Sequence, residues 1–266
     1  MKPLVSVILP VHNGGSYIAA AIESILSQTY DHFELIVIND ASTDNTGSIV
    51  QELAAGDKRI RYLENETNLR VVQTLNKGIT LAEGKYIARM DADDIALPDR
   101  FETQVGFLEA NTDIGIADVL MEYIDEKGES LNRCNARVFH PREIRKKLAW
   151  TNVLGHSSIM GRAELFKAFR YDNIYYEDYE LWLRMTESGV RMAKIDRPLL
   201  RYRIHTESIT AQALNNGTHF RKLAATKARF LRNQLKSRSW SFFCMRVFGS
   251  MVCDYLLYFY KKLIRR

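Results

Sequence analysis

Tyr86-Ile-Ala-Arg-Met-Asp-Ala-Asp-Asp94 is a short apolar run that ends in three carboxylates within four residues. Side chains alternate along an extended backbone, so Asp91 and Asp93 project to the same side. Two carboxylates held side by side repel each other unless they face open solvent or a cation that takes oxygen ligands. A strand end carrying Asp-x-Asp is a seat for Mg²⁺ or Mn²⁺ bridging a diphosphate. Alone, the same letters also describe a solvated acidic turn, so the flanking sequence has to decide.

Upstream, strand-like and helix-like stretches alternate. Leu4-Val-Ser-Val-Ile-Leu9 reads as a buried parallel strand and breaks at Pro10-Val-His-Asn-Gly-Gly15. Ser16 is placed to cap a helix through about residue 28, with Ile18, Ala21, Ile22, Ile25 and Leu26 on one face. Phe33-Glu-Leu-Ile-Val-Ile38 is a second strand and stops at Asn39-Asp40-Ala-Ser-Thr-Asp44. A helix over 46–55, a strand over 60–63 and a helix over 71–81 lead into the strand at 86–90. This alternation predicts an α/β fold, a Rossmann-like, mostly parallel sheet with helices on both faces.

The polar residues sit in the loops after the strands: His12 and Asn13, then Asp40, then Asp91 and Asp93. Open α/β sheets bind ligands beyond the carboxyl ends of their strands, so one nucleotide-sized site can collect all of these. No Gly-x-Gly-x-x-Gly follows the first strand and no Walker lysine loop is present, which argues against a dehydrogenase or a P-loop enzyme.

Downstream, helices are expected over 101–110, 141–150 and 163–169, a strand over 114–123 and a turn at Glu126-Lys-Gly-Glu129. Glu177-Asp-Tyr-Glu-Leu-Trp-Leu-Arg-Met185 opens another helix, with Leu181 and Met185 inward. A short apolar strand precedes Arg201-Tyr-Arg-Ile-His205.

The bulk composition, 46% hydrophobic and 26% charged over 266 residues, is that of a globular protein with a sizeable core. Cys134, Cys244 and Cys253 show no metal-ligand spacing, and their odd number fits a reducing compartment. Met1-Lys-Pro-Leu leads straight into a strand-like run, so no signal peptide is expected. The net charge of +5 hides an asymmetry: residues 218–266 carry twelve Lys or Arg against Asp254 alone. The remainder is mildly acidic, with 25 basic and 31 acidic residues. Such a tail calls for an anionic partner. Residues 240–260 are rich in aromatic and aliphatic side chains, but Arg246 and Asp254 leave no uncharged run long enough to span a bilayer. With Lys261, Lys262, Arg265 and Arg266 close by, a helix lying in the membrane interface is expected, rather than a nucleic-acid contact. The alternative is a helical pair packed on the body or on a second subunit, as in a homo-oligomer.

Taken in order, residues 4–13, Asn39-Asp40-Ala-Ser-Thr-Asp44, Leu75-Asn-Lys-Gly-Ile79, Ala82-Glu-Gly-Lys-Tyr-Ile87, Asp91-Ala-Asp-Asp94 and Glu177-Asp178 resemble the family 2 glycosyltransferases of the GT-A fold. The resemblance runs from residue 4 to about 210. It implies a GT-A domain over 1–217, with a nucleotide-binding half at 1–95 and an acceptor-binding half at 96–217, followed by a basic helical extension at 218–266. It implies that Asp40 binds the uracil of a UDP-sugar and that Pro10, Val11, His12 and Asn13 line the base. Arg70 resembles a basic residue that contacts the nucleotide. Asp91 and Ala92 fall near the ribose, and Asp93 resembles the metal ligand. His205 resembles a late histidine that closes over the diphosphate or its metal. Glu177-Asp178 resembles the pair whose second acid is the catalytic base, and the Leu-Trp-Leu-Arg that follows favours this over acids merely placed at a helix start. His156, in Gly-His-Ser-Ser-Ile-Met, falls where members shape the acceptor pocket.

The activity implied is an inverting transfer, dependent on Mn²⁺ or Mg²⁺, from a UDP-sugar to a hydroxyl of a glycan or lipid-linked acceptor. Bacterial surface polysaccharide assembly, in the cytoplasm and peripheral on the inner face of the membrane, is the expected setting. Three rivals fit less well. A sugar-nucleotide pyrophosphorylase wants a Gly-rich loop with Arg and Lys after the first strand. A processive synthase wants Gln-x-x-Arg-Trp, and Gln234-Leu-Lys-Ser-Arg-Ser-Trp240 has the wrong spacing. A non-catalytic nucleotide-binding module leaves Asp91, Asp93 and Asp178 together without a purpose.

Overall fold

A computed structural model of the chain describes residues 2–135, 137–205, 218–237 and 240–264. Strands β1 (Val5–Val11), β2 (Phe33–Asn39), β3 (Ile60–Glu64) and β4 (Tyr86–Arg89) alternate with helices α1 (Ile18–Leu26), α2 (Thr46–Gly56) and α3 (Arg70–Leu81). The strands are parallel and stand in the order β3-β2-β1-β4, so Val5 of β1 faces both Phe33 and Tyr86 in register. The first strand is flanked on both sides, and the carboxyl ends of β1, β2 and β4 meet at one edge of the sheet. That is the switch point at which open α/β sheets bind ligands.

The period of two builds two cores. Val5, Val7, Leu9 and Val11 of β1 join Leu35 and Val37 of β2 on the side covered by α1 and by α4 (Arg100–Ala110). Ile8, Ile36 and Ile38 point the other way, onto Val72, Leu75 and Ile79 of α3. Both faces are apolar, as strands buried between two helical layers must be. One expectation fails locally. Helix α1 begins at Ile18 with no side-chain cap, and the amides of Tyr17 and Ile18 both go to the Gly14 carbonyl. A backbone turn on Gly14 replaces the expected Ser16 cap.

After residue 95 the sheet becomes mixed. It adds β5 (Ile95–Ala96), β6 (Ile114–Ile124), β7 (Ser130–Cys134), β8 (Met160–Arg162) and β9 (Arg191–Arg203), continuing the order as β4-β8-β6-β9-β5 with β7 on β6. Strand β8 is antiparallel to β4 and β6, whereas β6 and β9 are parallel. The brevity of β5, β7 and β8 hides them from periodicity. Strand β9 is longer than expected because Asp196-Arg197-Pro198, which breaks the apolar pattern, is absorbed by register shifts near Val119 and Leu120. Its far end returns the chain to the Asp cluster. Helices α5 (Pro141–Leu148), α6 (Ala163–Phe169) and α7 (Glu177–Glu187) cover this half, with Leu181, Trp182 and Met185 of α7 fully buried.

Helices α8 (His219–Lys236) and α9 (Phe242–Ile264) are not a free appendage. Phe230, Phe243, Cys244 and Val247 share a core with Leu148, Tyr179 and Trp182. The expected boundary at 217 lies outside the described residues, as do Arg265 and Arg266. The opposite side of α9 exposes Phe242, Met245, Phe248, Val252, Tyr255, Leu256, Phe259 and Tyr260. Of the two charges expected to interrupt this stretch, one leaves its surface and the other is half-buried. Asp254 turns inward to Lys227, 2.6 Å away, and Arg246 stacks over the Phe242 ring. Phe242–Lys262 is in fact long and apolar enough to cross a membrane by length and composition, with a mean hydropathy of 1.3. A count along the linear sequence could not see that Asp254 leaves the outer face.

Candidate functional site

The site begins at the end of β2. Asp40 is buried, and its Oδ1 accepts from Asn65 Nδ2 at 2.7 Å and from the Leu69 amide at 2.9 Å. Its amide donates to the Val11 carbonyl, and its own carbonyl accepts from His12 Nδ1 at 2.8 Å. Asn13 Oδ1 accepts from the Thr43 amide, and the Asn13 amide donates to Ser42 Oγ. Asn13 and Ala41 are both held at positive φ, so two tight turns close on each other here. Beside them is an open groove of about 430 Å³ lined by Ala41, Ser42, Glu64, Asn65 and Glu66. Pro10, Val11, His12, Asn13 and Asp40 therefore do assemble at one edge. Arg70 is exposed, one residue beyond the Leu69 amide that Asp40 accepts.

The acidic cluster lies across β1 from this groove. The ends of β2 and β4 flank β1, which sets them roughly 10 Å apart. Carboxylate oxygens of Asp91, Asp93 and Asp94 lie within 4.8 Å of one another, with Ala92 between the first two. The Asp91 amide donates to Ser157 Oγ, in the 3-10 turn His156–Ser158. Asp93 Oδ2 lies 2.8 Å from His205 Nε2, and Arg203 Nε donates to the Asp93 carbonyl. Asp94 Oδ1 accepts from the Arg203 amide, but among the described residues Asp94 Oδ2 is buried with no hydrogen-bond partner. Burial, then the charges of Asp91 and Asp93, push the Asp94 carboxyl well above its usual range. An orphaned buried oxygen among three crowded carboxylates is the donor set of a hard divalent cation, and the residues present fit one. The expectation named Asp93 and His205 as ligands; the geometry places Asp91 and Asp94 beside them. Tyr17 packs against this rim, with its ring 5.7 Å from that of His205 and with Arg203 stacked over it.

The third group opens α7. Tyr176, at positive φ, turns the chain so that Glu177 and Asp178 begin the helix. Asn152 Nδ2 donates to Asp178 Oδ2 at 2.7 Å. Burial, then the neighbouring charge of Asp178, push Glu177 up to about 7. Asp178 is also raised by burial, opposed by the Tyr179 amide, Arg89 and Asn152. His156 Nε2 is 2.8 Å from the Tyr171 hydroxyl, and its Nδ1 is 3.9 Å from Glu177. Burial and the Arg89 charge hold His156 well below its usual range, so it is neutral and its contact with Glu177 is not an ion pair.

Arg89 joins the two acidic groups. It is buried at the end of β4, grips Asp91 with both terminal nitrogens, and lowers Glu177 and Asp178 electrostatically. Sequence reading passed over Arg89, Asp94, Asn152 and Tyr171. The signal for the first two was available, since both lie inside the quoted stretch. Asn152 and Tyr171 carry no local motif and are brought in by tertiary packing alone.

Comparison with known proteins agrees with this layout. The glycosyl transferase family 2 model matches residues 6–170. An uncharacterized glycosyltransferase of Methanocaldococcus jannaschii is 36% identical over 207 residues, 76% of this chain and 71% of that one. The O-antigen biosynthesis glycosyltransferase WbnJ of Escherichia coli is 31% identical over 221 residues, covering 79% and 84%. Among solved structures, S. aureus TarS 1–349 in complex with UDP-GlcNAc superposes with a TM-score of 0.68 at 18% identity, covering 88% of this chain and 67% of that one. The mannosyltransferase PcManGT of Pyrobaculum calidifontis, in complex with GDP-Man and Mn²⁺, gives 0.67 at 18% identity, covering 96% and 76%. The fold is thus of the GT-A kind, and the matched span takes in the groove beside Asp40 and the Asp cluster. The chain is a glycosyltransferase and belongs to family 2 of these enzymes.

Proposed function

We propose that this enzyme moves a sugar from a UDP-sugar to a hydroxyl of a glycan or lipid-linked acceptor, with inversion, in surface polysaccharide assembly. The observation that carries the reading is the pairing, through Arg89, of a cation-ready carboxylate cluster with a second pair of acids opening α7. The TarS neighbour holds UDP-GlcNAc and the mannosyltransferase holds GDP-Man with Mn²⁺, while WbnJ is named for O-antigen biosynthesis; these support a nucleotide-sugar donor and a glycan product.

On this reading Asp40 receives the base. Its Oδ1 already accepts two protein donors, which leaves Oδ2 for a uracil N–H. Asp93, with Asp91, Asp94 and His205 around it, would hold Mn²⁺ or Mg²⁺, which when bound would supply positive charge to offset that of the diphosphate. Asp178 is the general base. Its hydrogen bond from Asn152 favours the ionised carboxylate, whereas Glu177 is driven toward its protonated form. Burial raises both carboxyls, and Asp178 has a side-chain donor, Asn152, that favours its ionised form. Asp178 takes the acceptor proton as the hydroxyl attacks opposite the leaving UDP, so an α-linked donor yields a β-glycoside. Neutral His156 and Tyr171 shape the acceptor side.

UDP release from UDP-glucose, UDP-galactose and UDP-N-acetylglucosamine, with and without Mn²⁺, tests the reading. A rate that survives excess chelator and Asp178→Asn together would remove it.

The outer face of α9 favours a place for the reaction. Every exposed side chain from Phe242 to Tyr260 is uncharged, and Lys261 and Lys262 follow directly. We infer a cytoplasmic enzyme lying peripherally on an anionic membrane, where a lipid-linked acceptor would be found. A spanning helix is disfavoured because the inner face of α9 is packed on the body through Asp254 and Ser250.

A further inference from the structure

Three consecutive carbonyls close the C-terminal end of α5, and each is held by a different helix. Tyr179 Oη of α7 donates to the Leu148 carbonyl at 2.6 Å, Ser250 Oγ of α9 to the Ala149 carbonyl at 2.6 Å, and Lys227 Nζ of α8 to the Trp150 carbonyl at 2.7 Å. The last carbonyls of a helix have no partner within it, and buried ones need donors from elsewhere. Two residues beyond Trp150, Asn152 reaches Asp178 at 2.7 Å, while its Oδ1 accepts the Leu154 amide at 3.2 Å.

Lys227 is completely buried and is neutralised by Asp254 of α9 at 2.6 Å. Lysine is seldom found fully buried, and such an ion pair contributes less stability than an apolar pair of the same volume often does. Packing alone therefore does not account for an ammonium here. Its three N–H donors do: they reach a backbone carbonyl and a carboxylate on two different elements at once.

We propose that the C-terminal helix pair positions the catalytic base: Lys227, with Asp254 and Ser250, pins residues 148–150 and so holds Asn152 against Asp178. The proposal rests on the reading of Asp178 as the base. Lys227 touches no substrate and acts through Asn152. The other groups facing Asp178 are Arg89 at the end of β4, Glu177 and Tyr179 on α7, and Tyr171 and Tyr176 from the preceding segment. Of these, Tyr179 shares the pinned segment through the Leu148 carbonyl and Tyr176 reaches His219 of α8, whereas Arg89 and Tyr171 stand apart from it, so loosening the pin at Trp150 acts on Asp178 chiefly through the Asn152 bond. Without that bond the Asp178 carboxylate is freer to turn and binds its proton more tightly.

The test uses the full chain with Lys227→Met, Asn152→Ala and the double variant, following UDP release from the three UDP-sugars with Mn²⁺ across pH. Lys227→Met is expected to lower kcat by about 10–100-fold, the scale of a mispositioned catalytic group, with UDP affinity unchanged. The acid limb of its pH profile moves upward, and the double variant is no slower than Asn152→Ala alone, because the two act in one chain. Amide hydrogen exchange, which needs no substrate, is expected to show lost protection at Leu154 with the β1–β4 sheet unaffected. Additive losses in the double variant, or an unchanged pH profile and unchanged Leu154 protection, overturn the proposal. If Lys227→Met does not fold, Ser250→Ala, which removes one hydroxyl from the same segment, is read in the same way. Full activity in Asp178→Asn would remove the base reading itself. An inactive Asp178→Asn beside a normal Lys227→Met removes only the positioning role.

Discussion

Arg89 closes on Asp91 with both terminal nitrogens of its guanidinium, while its Nε is buried with no hydrogen-bond partner among the described residues. The arginine is thus the cation that balances the cluster when no metal ion is bound. Removing one partner of a buried ion pair destabilises by roughly 3–5 kcal/mol, and Asp91 is a third exposed, so a smaller loss is expected for Arg89→Met. Mn²⁺ should restore part of it, because the ion binds only the folded cluster. Urea melts with and without Mn²⁺ check this. A variant as stable as the parent, or indifferent to Mn²⁺, contradicts the pairing. Arg89→Lys is not expected to rescue, since an ammonium cannot make the two-pronged contact.

Asp93→Asn removes charge from the centre of the carboxylate cluster but keeps its shape. Transfer should be abolished and UDP binding should lose its dependence on Mn²⁺, while binding without metal is little changed. His205→Ala, on the other side of the 2.8 Å contact, should weaken metal-dependent binding less. Isothermal titration of UDP with and without Mn²⁺ separates the two.

Asp178→Asn keeps the acceptor for Asn152 but cannot take a proton at neutral pH. Loss of a general base lowers the rate by roughly 10²–10⁴-fold. UDP affinity should hardly move. If the rate is intact, Glu177 becomes the base.

Glu177 titrates at about 7 in the folded chain against 4.5 for a free side chain. Between those values the folded state binds more protons than the unfolded one, so stability falls as pH rises through this window and levels off above it. Glu177→Gln removes that dependence. The variant should be more stable than the parent at pH 8, by up to roughly 3 kcal/mol, with the difference vanishing near pH 4. Thermal melts across pH measure it, and parallel curves would show that Glu177 is not driven toward protonation.

The exposed face of α9 makes a prediction about lipid. Vesicles of phosphatidylcholine containing phosphatidylglycerol should co-sediment the enzyme, and pure phosphatidylcholine should do so more weakly. Each basic residue near an anionic surface contributes about 1 kcal/mol, and salt screens it. Phe248→Ser with Phe259→Ser should reduce binding without altering UDP affinity. A concentration-dependent dimer that ignores vesicles would assign the face to a second copy instead.

Much of the parallel half, with the Asp cluster, is legible in the sequence because its chemistry is local. The apolar run of β4 leads straight into Asp91 and Asp93, which lie in the turn after the strand rather than on extended backbone, and the strand and helix periods around it give the parallel sheet. Asp94 was equally visible but is adjacent to Asp93 on the opposite side of an ideal strand. Only the turn after β4, which lets the Asp94 amide reach the Asp91 carbonyl, brings all three together. The mixed half is less legible. Three of its strands, β5, β7 and β8, are two to five residues long, and Asn152 reaches Asp178 across 26 positions. The tail misled in a third way: charges counted along a line are not charges on a helix surface, and Asp254 is spent inside.

The carbonyls of Leu148, Ala149 and Trp150 bear on how such enzymes can be recombined. A chimera that grafts a new mixed half onto this parallel half could be joined between β4 and β5, where the sheet changes from parallel to mixed. A second junction near residue 217 would pair foreign α5 and α7 with native α8 and α9, leaving those carbonyls facing side chains chosen for another helix. The mixed half and the C-terminal helices would therefore have to be transplanted, and inherited, as a single block.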